Sequence, residues 1–217
     1  MVLLSGMKSF ARRVIVGLFI FFLTGCVSLH QKGDLPVADN DVEKIYQLVA
    51  AQKNAVNHND VSGFMATLNL NDKEYAVEQQ RWFQYFQSAG AQDYELKIED
   101  IARRGETEYV ARVSQSYSYT PHKSRQANVF NLRFVRTQAG WKDSDLEFEI
   151  LETEHFFVKG SIGIGRVWME KIAKDAEIAY DKVANAYGGQ MPGKTTIKLY
   201  TKQQMLRDRT IISILWK

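Results

Sequence analysis

The sequence predicts an α+β protein: three helices packed on a four-stranded antiparallel meander, followed by an incomplete α/β segment. Three observations carry this. Apolar residues recur at helical spacing from Asp39 to Ser88. The period then drops to two at Asp93 and holds through four stretches separated by short turns. After Glu152 a strand-like run, a glycine-rich loop and a long amphipathic stretch change the grammar again.

The elements follow in order. Asp39, Asn40 and Asp41 offer N-caps for a helix to about Asn57, with Val42, Ile45, Val49 and Val56 on one stripe and Tyr46 and Leu48 widening it. Asn57-His58-Asn59-Asp60 breaks that helix, and Asp60 caps a short second one running through Leu68. Leu70-Asn71-Asp72 introduces a third helix over Lys73–Ser88, whose end, Arg81-Trp82-Phe83-Gln84-Tyr85-Phe86, must press against something large and apolar; Gly90 stops it. In the first strand Tyr94, Leu96 and Ile98 alternate with Glu95, Lys97 and Glu99. The second, Glu108–Tyr119, puts Tyr109, Ala111, Val113, Gln115, Tyr117 and Tyr119 on one face. Ala127–Arg136 returns with Phe130, Leu132 and Phe134 aligned. Trp141–Ile150 reads as the fourth strand, with Leu146, Phe148 and Ile150 alternating. A sheet with one apolar face needs a cover, and the three preceding helices supply it.

Ahead of these elements, Val14–Leu23 is apolar except for Gly17 and follows Arg12-Arg13. A basic start, a short apolar core and small residues at its end make an export signal. Ten residues rise only about 15 Å as a helix, roughly half of a bilayer's hydrocarbon core, which argues against a permanent span. The tetrad Leu23-Thr24-Gly25-Cys26 resembles the lipobox of bacterial lipoproteins. That resemblance implies lipidation of the Cys26 thiol, cleavage before it, and a palmitate-bearing anchor in an extracytoplasmic membrane. Met7 heads a more typical signal than Met1. On this reading residues 1–25 are signal peptide, and residues 26–39, polar and aperiodic with Gly33 and Pro36, are a tether.

Loss of the signal alters the charge argument. The whole chain has 28 basic and 25 acidic residues, a formal net charge of +3. Lys8, Arg12 and Arg13 leave with the signal and no acid does, so the mature chain is neutral and has no electrostatic reason to bind nucleic acid. Cys26 is the single cysteine, so no disulfide can form within the chain. Folding must rest on an ordinary core, which 45% apolar and 12% aromatic residues can supply.

The order helix, short helix, aromatic helix, four-stranded meander resembles the NTF2-like (cystatin-like) cone. Asn54-Ala55-Val56-Asn57-His58-Asn59-Asp60-Val61-Ser62-Gly63-Phe64 is similar to the first helix-to-helix corner of that family. The match covers residues 40–150. It implies a curved sheet wrapped on helices, with members that bind ligands, isomerise, dehydrate or serve as accessory domains; the fold by itself settles no activity.

From Glu152 onward, Glu154-His155-Phe156-Phe157-Val158 reads as a strand and Lys159–Arg166 as a glycine-rich loop. Val167–Tyr187 is a long helix with Trp168, Ile172, Ala176, Ala179, Val183 and Tyr187 on one stripe, ended by Gly188-Gly189. Thr195–Tyr200 is a further strand, and Lys202–Arg209 begins another helix. This run over residues 152–217 resembles the opening of a peptidase MA-like, gluzincin-type metallopeptidase domain. In that family a helix with His-Glu-x-x-His follows. The motif is absent here, so the resemblance implies a truncated segment whose catalytic half is missing.

The chemistry is correspondingly thin. Zinc hydrolysis needs two imidazoles one helical turn apart, a third ligand and a base, whereas His30, His58, His122 and His155 lie far apart in sequence. No catalytic, metal or cofactor residue is assigned, and His58 and His155 are read as structural. Gly160-Ser161-Ile162-Gly163-Ile164-Gly165 has neither the order of a dinucleotide loop nor a Gly-Lys-Ser/Thr ending, and reads as a turn between strand and helix. Gly193-Lys194-Thr195 reads as a turn too. Trp82, Phe83, Tyr85, Phe86, Tyr109, Tyr117 and Tyr119 could line a cavity, but core filling is the favoured reading. An isomerase-like site would also need a buried acid, and no acid can be placed inside from the sequence.

The leading functional expectation is therefore a membrane-anchored lipoprotein serving as a non-catalytic interaction or positioning module. Its partners would be the membrane, through the N-terminal lipid, and a protein or the missing catalytic half. Two alternatives stand beside it: a fragment of a secreted zinc metallopeptidase, and a small apolar ligand-binding or isomerase-like domain.

Overall fold

A computed structural model describes residues 39–119, 125–186, 188–189 and 192–202. The signal, Cys26, the tether, His122 and the helix expected from Lys202 lie wholly or almost wholly outside them. Three helices come first: α1 (Asp39–Asn57), α2 (Val61–Ala66) and α3 (Lys73–Ser88). Asp60 accepts a hydrogen bond from the Gly63 N–H at 2.8 Å, and Asp72 one from the Tyr75 N–H at 3.0 Å. Both caps satisfy donors that a helix start leaves orphaned.

Strands β1 (Ala91–Arg103), β2 (Glu108–Tyr119), β3 (Arg125–Thr137) and β4 (Gly140–Leu146) form an antiparallel sheet in the order β1-β2-β3-β4. This is the expected meander under three helices, an α+β fold. Register shifts in β1 lie between Gln92 and Glu95 and between Ile98 and Asp100, and such bulges bend a strand and sharpen its twist. The outer edge of β4 is paired as well: the Asn69 N–H donates to the Asp143 carbonyl at 2.8 Å, and the Asp143 N–H to the Thr67 carbonyl at 3.0 Å.

One core fills the space between helices and sheet. Ile45, Val49, Phe64, Trp82, Phe83 and Phe86 meet Tyr94, Tyr109, Val113, Tyr117, Leu132 and Phe134. The aromatic end of α3 thus presses on the concave face of the sheet, as its composition demands.

The expected fourth strand is in fact two. β4 ends at Leu146, and β5 (Phe148–Glu152) leaves to join β6 (Phe156–Ser161) and β7 (Thr195–Leu199) in a second sheet of order β5-β6-β7. Leu146, Phe148 and Ile150 alternate in sequence, but across the switch Ile150 is 52% exposed and Leu151 packs on the second core instead; a change of pairing partner resets which face is buried. The backbone does mark the switch: Asp145 has φ +78°, a conformation costly for a residue with a Cβ.

β6 and β7 are parallel, connected by α4 (Arg166–Ala186). The buried stripe of α4 is Met169, Ala173, Tyr180 and Ala184, packed on Phe156 and Val158. That corrects the expected stripe, since Trp168 and Val183 are exposed. Alanines let the helix sit close to the sheet. At the contact a Cβ on Gly160 would lie 2.6 Å from the Met169 sulfur, so glycine there permits the approach. Tyr85, counted among the cavity aromatics, is also exposed.

Candidate functional site

Three places concentrate polar chemistry. The first is the cone interior. Its rings pack on one another: Trp82–Phe86 at 4.9 Å, Phe86–Tyr117 at 5.0 Å, Phe64–Phe83 at 5.2 Å and Tyr109–Trp141 at 5.1 Å between centroids. These are favourable tilted and edge-to-face geometries, so the aromatics occupy the volume as core. Among them sit buried polar groups. Asp143 is buried on β4, where its carboxylate accepts from Gln52 Nε2 at 2.9 Å and from the Asp145 N–H at 3.1 Å. Gln115 is 1% exposed in the middle of β2, opposite Leu96 and Asn128, and neither amide atom of its side chain has a hydrogen-bond partner among the described residues. Each such orphaned group costs about 1–3 kcal/mol.

The second place is a groove of about 600 Å³ between α3 and the second sheet. Val77, Glu78 and Arg81 line it from α3, and Thr196, Lys198 and Tyr200 from β7 and its end. At its floor Lys198 Nζ lies 2.6 Å from Glu78 Oε2 and 2.7 Å from Asp145 Oδ2. The ammonium also stands 5.9 Å and 5.7 Å from the Tyr75 and Phe148 ring centres. Burial would lower the Lys198 pKa, but Asp145 and Glu78 outweigh it and hold the amine charged, above the usual lysine range. For Glu78 burial wins. It shares one cation with a second carboxylate, and its pKa is raised. The triad draws on α3, β4 and β7, and so joins the two sheets at their closest charged contact.

The third is a cluster at the start of β6. His155 donates its backbone N–H to Glu177 Oε1 at 2.9 Å and its Nδ1–H to Glu177 Oε2 at 2.6 Å, a carboxylate being able only to accept. Its ring stacks on Tyr180 at 3.6 Å. The Thr153 hydroxyl, with the side chain and backbone of His155, pulls the Glu177 carboxyl down to about 2. His155 clamps α4 to the sheet.

Of the residues singled out from sequence, Leu23, Thr24, Gly25 and Cys26 lie outside the described residues. His58 Nδ1 sits 2.8 Å from the Asn54 carbonyl on the surface. Gly163 turns with φ +98°, closed by the Ile164 N–H donating to the Ser161 carbonyl at 2.9 Å. Gly193 turns into β7, and Lys194 reaches Glu152 Oε1 at 2.6 Å. Arg133 and Arg136, interleaved with aromatics on β3, lie 3.6 Å from Glu108 and 3.7 Å from Asp41. Their charges are matched within the chain. The buried acids Asp143 and Asp145 were missed because, in the expected fourth strand, alternation with Leu146, Phe148 and Ile150 puts them on the polar face. Lys198 was missed because it lies 120 residues from Glu78 and 53 from Asp145. No group of three metal-ligating side chains occurs among the described residues. None of their helices is long and apolar enough to cross a membrane.

No known family profile matches the chain, and no curated protein matches it. Solved structures do resemble it. A domain of unknown function with a cystatin-like fold from Nostoc punctiforme is 12% identical, with a TM-score of 0.42 over 70% of this chain and 99% of that one. An NTF2-like protein with a cystatin-like fold from Novosphingobium aromaticivorans is 10% identical, TM-score 0.40, over 75% and 96%. An NTF-2 like protein of unknown function from Shewanella oneidensis is 16% identical, TM-score 0.39, over 48% and 98%. The fold class rests on the helix order and sheet topology described above.

Proposed function

We propose that this chain is a binding module without catalysis of its own, held at an extracytoplasmic membrane by a lipid on Cys26, with the groove between α3 and β7 as its binding surface. The observation that supports this choice of surface is a contrast. Stacked rings take up the cone interior, whereas the groove is open, concave and of ligand size. Its floor is a charge cluster in which the cation is already shared by two carboxylates. That arrangement suits positioning a partner better than activating a nucleophile, because an amine held protonated cannot attack. The test is a screen of short peptides and small molecules by thermal shift, followed by hydrogen exchange. Protection centred on residues 73–81 and 196–200 is expected. Turnover of any bound compound by the pure protein would overturn the reading.

A second reading, a small-ligand site inside the cone, is favoured by the bare amide of Gln115. A ligand or water with both a donor and an acceptor would satisfy it. Protection centred on Gln115 and Tyr117 in the same experiment would select this reading. The peptidase-fragment reading draws support only from the order β6–α4–β7. Zinc-dependent peptide cleavage by the pure chain would establish it over the other two.

A further inference from the structure

The outer face of α4 is unusual for a surface helix. Val167, Lys171, Lys174, Ile178 and Lys182 recur at spacings of three and four, which places them on one stripe. All five are exposed, Val167 at 76% and Ile178 at 57%, and the three lysines outnumber the exposed acids Asp175 and Asp181 that border the stripe, leaving it net positive. Trp168, 63% exposed, flanks its N-terminal end with Lys171 Nζ 5.5 Å from its ring centre. The opposite face is the one spent on the sheet, through Met169, Ala173, Tyr180 and Ala184. A purely solvated face accounts for the lysines but not for two branched apolar side chains and an indole in water.

We infer that this stripe is an interfacial surface that lies on an anionic phospholipid bilayer. Lysines on a helix face meet anionic headgroups. Branched apolar side chains and a tryptophan sink into the headgroup–acyl boundary, where an indole is favoured. The axis of the 21-residue helix (Arg166–Ala186) lies along the membrane plane, about 30 Å long. Anchoring by lipid alone leaves the domain free to tumble at the end of its tether; the stripe fixes which side faces the membrane. This rests on the membrane-side location proposed above.

The test uses the full chain purified with its anchor and reconstituted on vesicles of phosphatidylcholine with or without phosphatidylglycerol, carrying brominated acyl chains. The chain has four tryptophans, and subtracting the spectrum of Trp168→Phe on the same vesicles removes the other three and isolates the Trp168 emission. On phosphatidylglycerol vesicles that component is expected to shift to the blue and lose roughly half its intensity, at the shallow depth of an interfacial helix. Lys171→Glu with Lys174→Glu and Lys182→Glu, or salt at about 1 M, should abolish the quenching while the protein stays attached. Vesicle-bound, acylated protein whose Trp168 is unquenched overturns the inference and leaves the anchor standing. Quenching of Trp168 in protein that carries no acyl label supports the stripe and removes the anchor. Equal quenching on vesicles without anionic lipid overturns the charge argument and with it the inference.

Discussion

Replacing Lys198 with methionine should destabilise the fold more than any other single charge removal among the described residues. The side chain is 9% exposed, between Asp145 at 6% and Glu78 at 32%. Methionine keeps most of the stem's packing against Tyr75 and Phe148, so the loss is chiefly electrostatic. Two carboxylates remain, and that of Asp145 is buried. Breaking a buried pair by removing one partner costs about 3–5 kcal/mol. The part belonging to Glu78 is screened by solvent, so the expected loss is near the lower end, about 3 kcal/mol. For a chain of this size each kcal/mol moves the midpoint by about 2–4 °C, which predicts a fall of about 6–12 °C in a thermal melt followed by circular dichroism. Hydrogen exchange should accelerate first in β7. The companion variant decides the cause: adding Asp145→Asn and Glu78→Gln removes the stranded charges and should recover most of the loss. A fall under about 1 kcal/mol for Lys198→Met, or no recovery in the triple variant, would refute the reasoning.

Other predictions follow from the same geometry. The Glu177 carboxyl is held at about 2, well below its ordinary value of 4.5. Its contribution is therefore present above pH 4.5 and lost as pH falls toward 2, and Glu177→Gln should flatten that acid limb in melts run across the range. Glu78 acts in the opposite sense. Its raised pKa means the folded state holds that proton more tightly, so Glu78→Gln should improve stability slightly at neutral pH relative to acid. Gly160→Val drives a side chain into the Met169 sulfur and should cost about 1–3 kcal/mol, seen as faster exchange along α4 with the first sheet unchanged. Cys26→Ser should abolish acyl labelling and cleavage before residue 26; labelling that persists in the variant would remove the lipid anchor.

The sequence by itself determined the elements of the cone. Helical spacing, Asp60 and Asp72 at N-cap positions, and the change to period two are local signals. Local signals survive without knowledge of partners. They gave α3 its bounds at Lys73 and Ser88, and they placed Tyr109, Val113 and Tyr117 on the buried face of β2. Tertiary structure alone decided where the chain changes sheets, because Leu146, Phe148 and Ile150 alternate identically whether or not the strand breaks. It also decided the buried face of α4. There Trp168 and Val183 stayed outside while Met169, Ala173, Tyr180 and Ala184 packed on Phe156 and Val158, a choice made by which side of the helix meets the second sheet. The charged groove floor was invisible for a related reason. Glu78, Asp145 and Lys198 each read as an ordinary surface charge in its own stretch, and only the folding of β7 against α3 makes them one buried cluster.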